Sequence, residues 1–312
     1  MLRLKDLDFV PERYEAERLE RVEGAVEGPS EMLRVERLFL NGLVRRLEPK
    51  KLLEVGVAAG GSSCVLLNAM DDGAVLHSVD WSGRYYRDKA KATGWLVDEV
   101  AGERRHFDTT RWRRHFDRDV SEVIEEIGGG VDFALLDTVH AHPAETLSFI
   151  SIFPFLTPDA VVVLHDVNLF FSNPPNSGYD AYATKLLFDI VTADKFTPSE
   201  FGNGYIHPNI AAFQVNGDTR KYIADVFRSH FFPWGYDVPE RVLSGTKHII
   251  REQYGERERE RERERELSLS LRERRSPEHG VLGAWRSPLG AAAAQGAVRG
   301  LGHRLFVVES AW

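Results

Sequence analysis

Residues 51–63 read KLLEVGVAAGGSS. Leucines and valine surround a single acid, Glu54, and the run then breaks into glycine, alanine and serine. A buried strand that closes on small residues and turns into a helix is the place where an α/β sheet lets a ligand approach its backbone. Three further apolar runs have the same form: AVLHSVD (74–80), VDFALLD (131–137) and AVVVLHD (160–166). Each is nearly continuous in hydrophobicity, as strands covered on both faces must be. A weaker strand is expected near 114–117 and a late one at 210–216. Helical spacing fills the intervals, at 30–47 up to Pro49, at 119–127 and at 143–153. Strand and helix in alternation predict an α/β, doubly wound, mostly parallel sheet with helices on both faces and ligands at the carboxyl ends of the strands.

The chain has 312 residues, 43% of them hydrophobic, with a net charge of -8. An acidic total argues against a general nucleic-acid partner and for a small-molecule substrate. Cys64 is the single cysteine, which excludes an internal disulfide and a cysteine-rich zinc site and fits a reducing compartment. The first residues carry charges every few positions where a signal peptide would need an apolar core, and no stretch approaches the ~20 apolar residues of a membrane span. The expectation is a cytoplasmic protein without a membrane partner.

Composition changes sharply near Gly255. From there to Trp312 there are 11 Arg and 9 Glu but no Lys, Asp or Ile, beginning with alternating Glu-Arg and then alternating Leu-Ser. A GAGAGA repeat encodes the first and its complement CTCTCT the second. Residues 255–312 are therefore read as a low-complexity tail, disordered or artefactual, and given no chemistry; an intact conventional reading frame through 312 would remove the second reading. Residues 30–254 are expected to form the main domain and 1–29 a helical extension, with the first fifty residues, rich in Glu and Arg, as a lid or a homodimer contact.

The turn departs from the dinucleotide fingerprint G-x-G-x-x-G, because Ala58 stands at the second glycine and Gly60 comes early. It resembles motif I of the class I S-adenosylmethionine-dependent methyltransferases, E/D-x-G-x-G-x-G, as Glu54, Gly56, Ala58 and Gly60, on a Rossmann-like sheet. Glu54 agrees with that resemblance, since an acid suits a sulfonium and an ammonium but repels a pyrophosphate. Asp80 ends the second strand, 24 residues after Gly56, where the family's acid holds the ribose hydroxyls. By the same resemblance Ser62 follows the turn, Trp81 covers the adenine, and Asp119 reads it. Asp119 is equally a helix N-cap, and Trp81 equally a core aromatic.

Asp137 and Asp166 end neighbouring strands, so their carboxylates repel unless a proton, a cation or a hydrogen-bonding group comes between them. Here the chain resembles the macrocin and sugar O-methyltransferases and their relatives of the methyltransferase domain 24 type. That resemblance implies magnesium held by Asp137 and Asp166, with His165 as a third metal ligand. It also implies that His140, in the spacing Asp137-x-x-His140, is the general base, with His142 as its competitor. The acceptor implied is a small hydroxylated metabolite, a sugar or glycan precursor, with Phe170, Phe171 and Tyr179 offering flat surfaces. Two alternatives stay open. One is a nicotinamide-dependent oxidoreductase or epimerase, for which Tyr182 and Lys185 stand one residue too close. The other is a catalytically silent binding module.

Overall fold

The computed structural model describes residues 10–104, 107–172, 181–199 and 209–254. What was expected of the tail and of Tyr179 lies outside these. Seven strands run β1 Lys51–Val55, β2 Val75–Asp80, β3 Trp112–Phe116, β4 Val131–Leu136, β5 Leu156–His165, β6 Asp194–Phe196 and β7 Ile210–Gln214. The helices are α1 Ala16–Val26, α2 Arg34–Leu47, α3 Gly61–Ala69, α4 Trp95–Arg104, α5 Val120–Ile127, α6 Ala144–Ile152, α7 Leu169–Ser172, α8 Ala183–Ile190, α9 Gly217–Lys221, α10 Ala224–Arg228 and α11 Glu240–Gln253. The sheet order is β3-β2-β1-β4-β5-β7-β6, parallel from β3 to β5, with β7 antiparallel to both its neighbours. The strand order reverses direction beside β1, and the ends of β1 and β4 meet there.

Two apolar layers sandwich the sheet because successive strand residues point to opposite faces. Leu53, Val55, Leu136 and Leu164 pack with α5, α6 and α11 on one side. Leu52, Leu135 and Val163 pack with α1, α2 and α3 on the other. α5 shows how sequence dictates this. Val120, Val123, Ile124 and Ile127 are buried at helical spacing, and the helix begins at a capping box in which Asp119 accepts from Ser121 N (2.9 Å) and Glu122 accepts from Asp119 N (2.7 Å).

Helix α2 starts at Arg34 rather than at residue 30. The Glu36 carboxylate takes the Leu33 backbone N–H at 2.6 Å, fixing the helix start there and leaving 29–33 as a bent approach. Helix α1 does not stand apart from the body, since its Leu19, Val22 and Val26 are fully buried in the layer that also holds Phe39 and Leu66. No helix among the described residues is long and apolar enough to cross a membrane.

Candidate active site

A cavity of about 560 Å³ opens above the carboxyl ends of β1, β2, β4 and β5, within the size range of small-molecule sites. One side of it is the turn after β1. Gly56 has φ +93°, and a Cβ there would lie 1.7 Å from the Asp137 carbonyl oxygen, so the close approach of β1 and β4 excludes any other residue. Ala58, where the motif has glycine, is also left-handed at φ +50°. Asp80 secures this turn from β2. Its Oδ2 accepts from the backbone N–H of Val57 (2.9 Å) and Ala58 (3.2 Å), and its Oδ1 from Ser82 N (2.9 Å).

Of the residues expected to hold the cofactor, Gly56, Ala58, Ser62, Asp80, Trp81 and Asp119 line the cavity. Trp81 is 61% exposed there and belongs to no core. Asp119 both lines the cavity and caps α5. Gly60 acts from behind, where its left-handed backbone (φ +95°) lets Gly94 and Val97 close on the turn.

Glu54 corrects the sequence reading. It was expected beside the cofactor's cation, but it is fully buried on the α3 side of β1 and does not line the cavity. Its carboxylate accepts from Ser62 Oγ and Ser63 Oγ (2.6 Å each) and Ser78 Oγ (2.5 Å). The cause is strand periodicity: Glu54 shares a face with Leu52, the face that α3 covers. The glutamate thus ties the start of α3 to β2 through hydroxyls.

Burial pushes the Glu54 carboxyl up to about 7, against the opposing pull of the three serine hydroxyls. A carboxyl raised in the folded state contributes stability that is complete below its unfolded value, near 4.5, and lost as pH rises through about 7. The span corresponds to roughly 3 kcal/mol. Urea unfolding of the wild type against Glu54→Gln should therefore show the wild type losing that much relative stability between these pH values, whereas parallel pH profiles would refute it.

The acids line the same cavity. Asp137 follows β4 and Asp166 follows β5, and both line the cavity with His140. His140 Nε2 lies 3.1 Å from Asp166 Oδ2 and 3.5 Å from Asp137 Oδ1, while its Nδ1 lies 3.3 Å from Glu145 Oε1. Burial alone would lower the imidazole, but Glu145, Asp137 and Asp166 outweigh it and hold the ring at about 9. The three carboxylates thus favour the protonated form of the ring in this cluster. Burial raises Asp137 too, yet His165 and His140 more than offset it and leave that carboxyl below its usual range. Burial dominates at Asp166 and raises it.

His165 was expected as a metal ligand and is placed differently. It is buried behind the acids, with Nδ1 3.3 Å from Asp137 Oδ2 and Nε2 3.3 Å from Glu36 Oε2 of α2. It bridges the helix that follows the 29–33 approach to the acid of β4. Among the described residues the ligand atoms that converge within 4.8 Å of one another belong to Asp137, His140 and Asp166. A divalent ion fits this donor set: two carboxylates suit a hard cation, and the carboxamide of Asn209 already donates to Asp166. His142 is fully buried between Tyr182 and His230 and does not line the cavity. Tyr182 gives its hydroxyl to the Pro233 carbonyl, and Lys185 pairs with exposed Asp189, so these two form no catalytic pair.

Residues 53–167 match the model of the family described as "Methyltransferase domain". The matched span runs from β1 to just past β5 and agrees with the resemblance to S-adenosylmethionine-dependent methyltransferases read in the sequence. Solved structures similar to this chain include the O-methyltransferase TomG from Streptomyces achromogenes in complex with SAM, at 16% identity and TM-score 0.48, covering 67% of this chain and 93% of that one. The O-methyltransferase from Bacillus cereus in complex with SAH gives 15% identity, a TM-score of 0.44 and coverage of 64% and 89%. SAH-bound PaMTH1 from Podospora anserina gives 12%, 0.45, and 64% and 87%. No curated protein matches the chain.

Several residues of the site carried no signal in the sequence. Ser30 and Met32 reach the cavity from the approach to α2, and Tyr236, Pro239 and Val242 from the start of α11. They come from outside the strand ends where the motifs lie, and only chain packing brings them there. Phe171 is exposed and does not line the cavity, and the side chain of Phe170 lies outside the described residues.

Proposed function

We propose that this protein transfers the methyl group of S-adenosylmethionine to a hydroxyl of a small metabolite, a sugar or glycan precursor. The single observation that carries the reading is the convergence of Asp137, His140 and Asp166 in the cavity that the glycine turn also lines. Methyl transfer needs a nucleophile held in line with the methyl carbon and relieved of its proton. The acceptor oxygen forms the new C–O bond as the C–S bond breaks, the sulfur leaves as a neutral thioether, and the hydroxyl proton passes to His140 Nε2.

Asp80 and Asp119 would hold the ribose and adenine, with Trp81 against the base. The turn from Gly56 to Ser62 and the amino end of α3 would take the amino-acid moiety, whose carboxylate suits unpaired helix N–H groups. Asp137 and Asp166 would hold magnesium, which supplies positive charge against which an acceptor hydroxyl becomes more acidic. Positive charge at these acids would offset the part of the upward shift of His140 that they cause, the smaller part beside that of Glu145. The acceptor would be a small molecule free in solution, and a homodimer contact through the N-terminal segment belongs to the same reading.

The test is calorimetry with S-adenosylhomocysteine on the full chain, followed by a screen of sugars, phenols and amines for methyl uptake from labelled S-adenosylmethionine, with and without EDTA. The expected result is micromolar binding and methylation of a hydroxyl acceptor that EDTA suppresses. Methylation confined to amines would overturn the acceptor class. Cofactor binding with no turnover of any acceptor would favour the silent module.

A further inference from the structure

Arg241 is the second residue of α11, and its guanidinium reaches two loops that lie far from it in sequence. Nη1 donates to the Asp117 carbonyl oxygen at 3.3 Å and Nη2 to the Trp81 carbonyl oxygen at 3.5 Å. Trp81 stands in the loop after β2 and Asp117 in the loop after β3. Nη1 also lies 3.9 Å from Glu122 Oε2, the atom that accepts the Asp119 backbone N–H at 2.7 Å. One side chain therefore touches the backbone of Trp81, the loop that leads to Asp119, and the carboxylate that caps Asp119. Both Trp81 and Asp119 line the cavity, and so do Pro239 and Val242, which flank Arg241 in the chain.

α11 does not need this side chain to hold its place. Leu243, Thr246, Ile249 and Ile250 are buried. Gly245 backs onto α5, where a Cβ would stand 2.6 Å from Ser121 Oγ. The Arg241 side chain is itself 45% exposed, and an ion pair at such a distance in contact with water contributes little. Its planar fork serves the two carbonyls instead, because separate N–H groups of one guanidinium take acceptors from separate loops, whereas lysine offers a single point charge. The loops also meet through Gly83 N, which donates to Asp117 Oδ1 at 2.6 Å, and Arg118 N, which donates to Asp80 O at 3.2 Å. Of these contacts only that of Arg241 is to Trp81 itself. The Trp81 ring is 61% exposed and stacks on no other aromatic ring among the described residues, so a held backbone beneath it presents a flat apolar face to the cavity.

We infer that Arg241 is a positioning residue for the adenine end of the cofactor, joining the loops after β2 and β3 so that Trp81 and Asp119 face one pocket. This deepens the proposed function and rests on Trp81 and Asp119 as its contacts to the base. α11 thereby becomes part of the cofactor site, although it lies far along the chain from the strand-end motifs.

The experiment uses the full chain with S-adenosylhomocysteine as the probe and compares wild type, Arg241→Met and Arg241→Lys by calorimetry. Methionine keeps the apolar stem and lysine keeps the charge beside Glu122, but neither offers the fork that bridges two carbonyls. The expected result is a Kd raised about tenfold in Arg241→Met and about fivefold in Arg241→Lys, with Tm within about 2 °C of wild type. Trp81 supplies a second readout. Its fluorescence, taken as the difference from the same chain carrying Trp81→Phe, should be shielded from acrylamide by saturating S-adenosylhomocysteine in the wild type and left open in Arg241→Met. A Kd within about twofold of wild type in Arg241→Met overturns the inference. So does a wild-type Kd in Arg241→Lys, which would make charge alone sufficient. Weaker binding with Trp81 still shielded also overturns it, because Arg241 would then brace the loops without placing the ring. If Arg241→Met does not fold, Arg241→Lys carries both measurements. Binding of S-adenosylhomocysteine by the wild type tests the cofactor reading separately, since no variant enters it.

Discussion

Replacing His140 with alanine should lower kcat for a hydroxyl acceptor by about 10²- to 10⁴-fold, the range expected when a positioned general base is lost. The Kd for S-adenosylhomocysteine should move little, because the residues that line the cofactor side belong to β1, β2 and the start of α5. The variant also removes a cation from among three carboxylates, so its fold should be checked by circular dichroism and thermal melting. Added magnesium should recover part of the lost stability, since it replaces the missing positive charge beside Asp137 and Asp166. A variant that folds, binds S-adenosylhomocysteine and retains wild-type kcat would show that the proton leaves by another route.

Gly56→Ala should be the most damaging single-atom-scale change in the protein. The new methyl would stand 1.7 Å from the Asp137 carbonyl oxygen, at a backbone angle of +93° that alanine already disfavours. Relief requires β1 and β4 to part at the point where Asp137 N donates to Val55 O at 2.9 Å. The same movement displaces the Asp137 carboxyl and opens the cofactor turn. The expected cost is about 3 kcal/mol or more, a drop in Tm of about 10 °C, and loss of measurable S-adenosylhomocysteine binding. Gly73→Ala is the control: its φ of +87° is as unfavourable, but nothing lies within 4 Å of its Cβ, so it should lose only about 1 kcal/mol of stability and keep cofactor affinity. Equal losses at the two glycines would mean that backbone angle, and not the approach of β4, governs the turn.

The strands at 51, 75, 131 and 160 were legible because each is an apolar run bounded by turn residues, and a sheet covered on both faces leaves no other solution for them. β6 was not, since three residues, Asp194–Phe196, with an exposed lysine carry no pattern. The start of α2 was misplaced by four residues because the side chain that fixes it, Glu36, acts on a backbone N–H that sequence does not mark. Asp80, Asp137 and Asp166 could be read as site residues because strand ends at a change of direction in a parallel sheet face one crevice.

The amino-acid order alone determined the alternation of strand and helix and the crevice it creates. Those follow from local backbone geometry and from the burial of apolar runs, both written along the chain. Only the tertiary structure decided that Glu54 turns toward three serines, that His140 stands among three carboxylates, and that His165 reaches Glu36 of α2. Such facts depend on distances between residues far apart in sequence, and the charge state of a buried group is set by those neighbours and not by its own position.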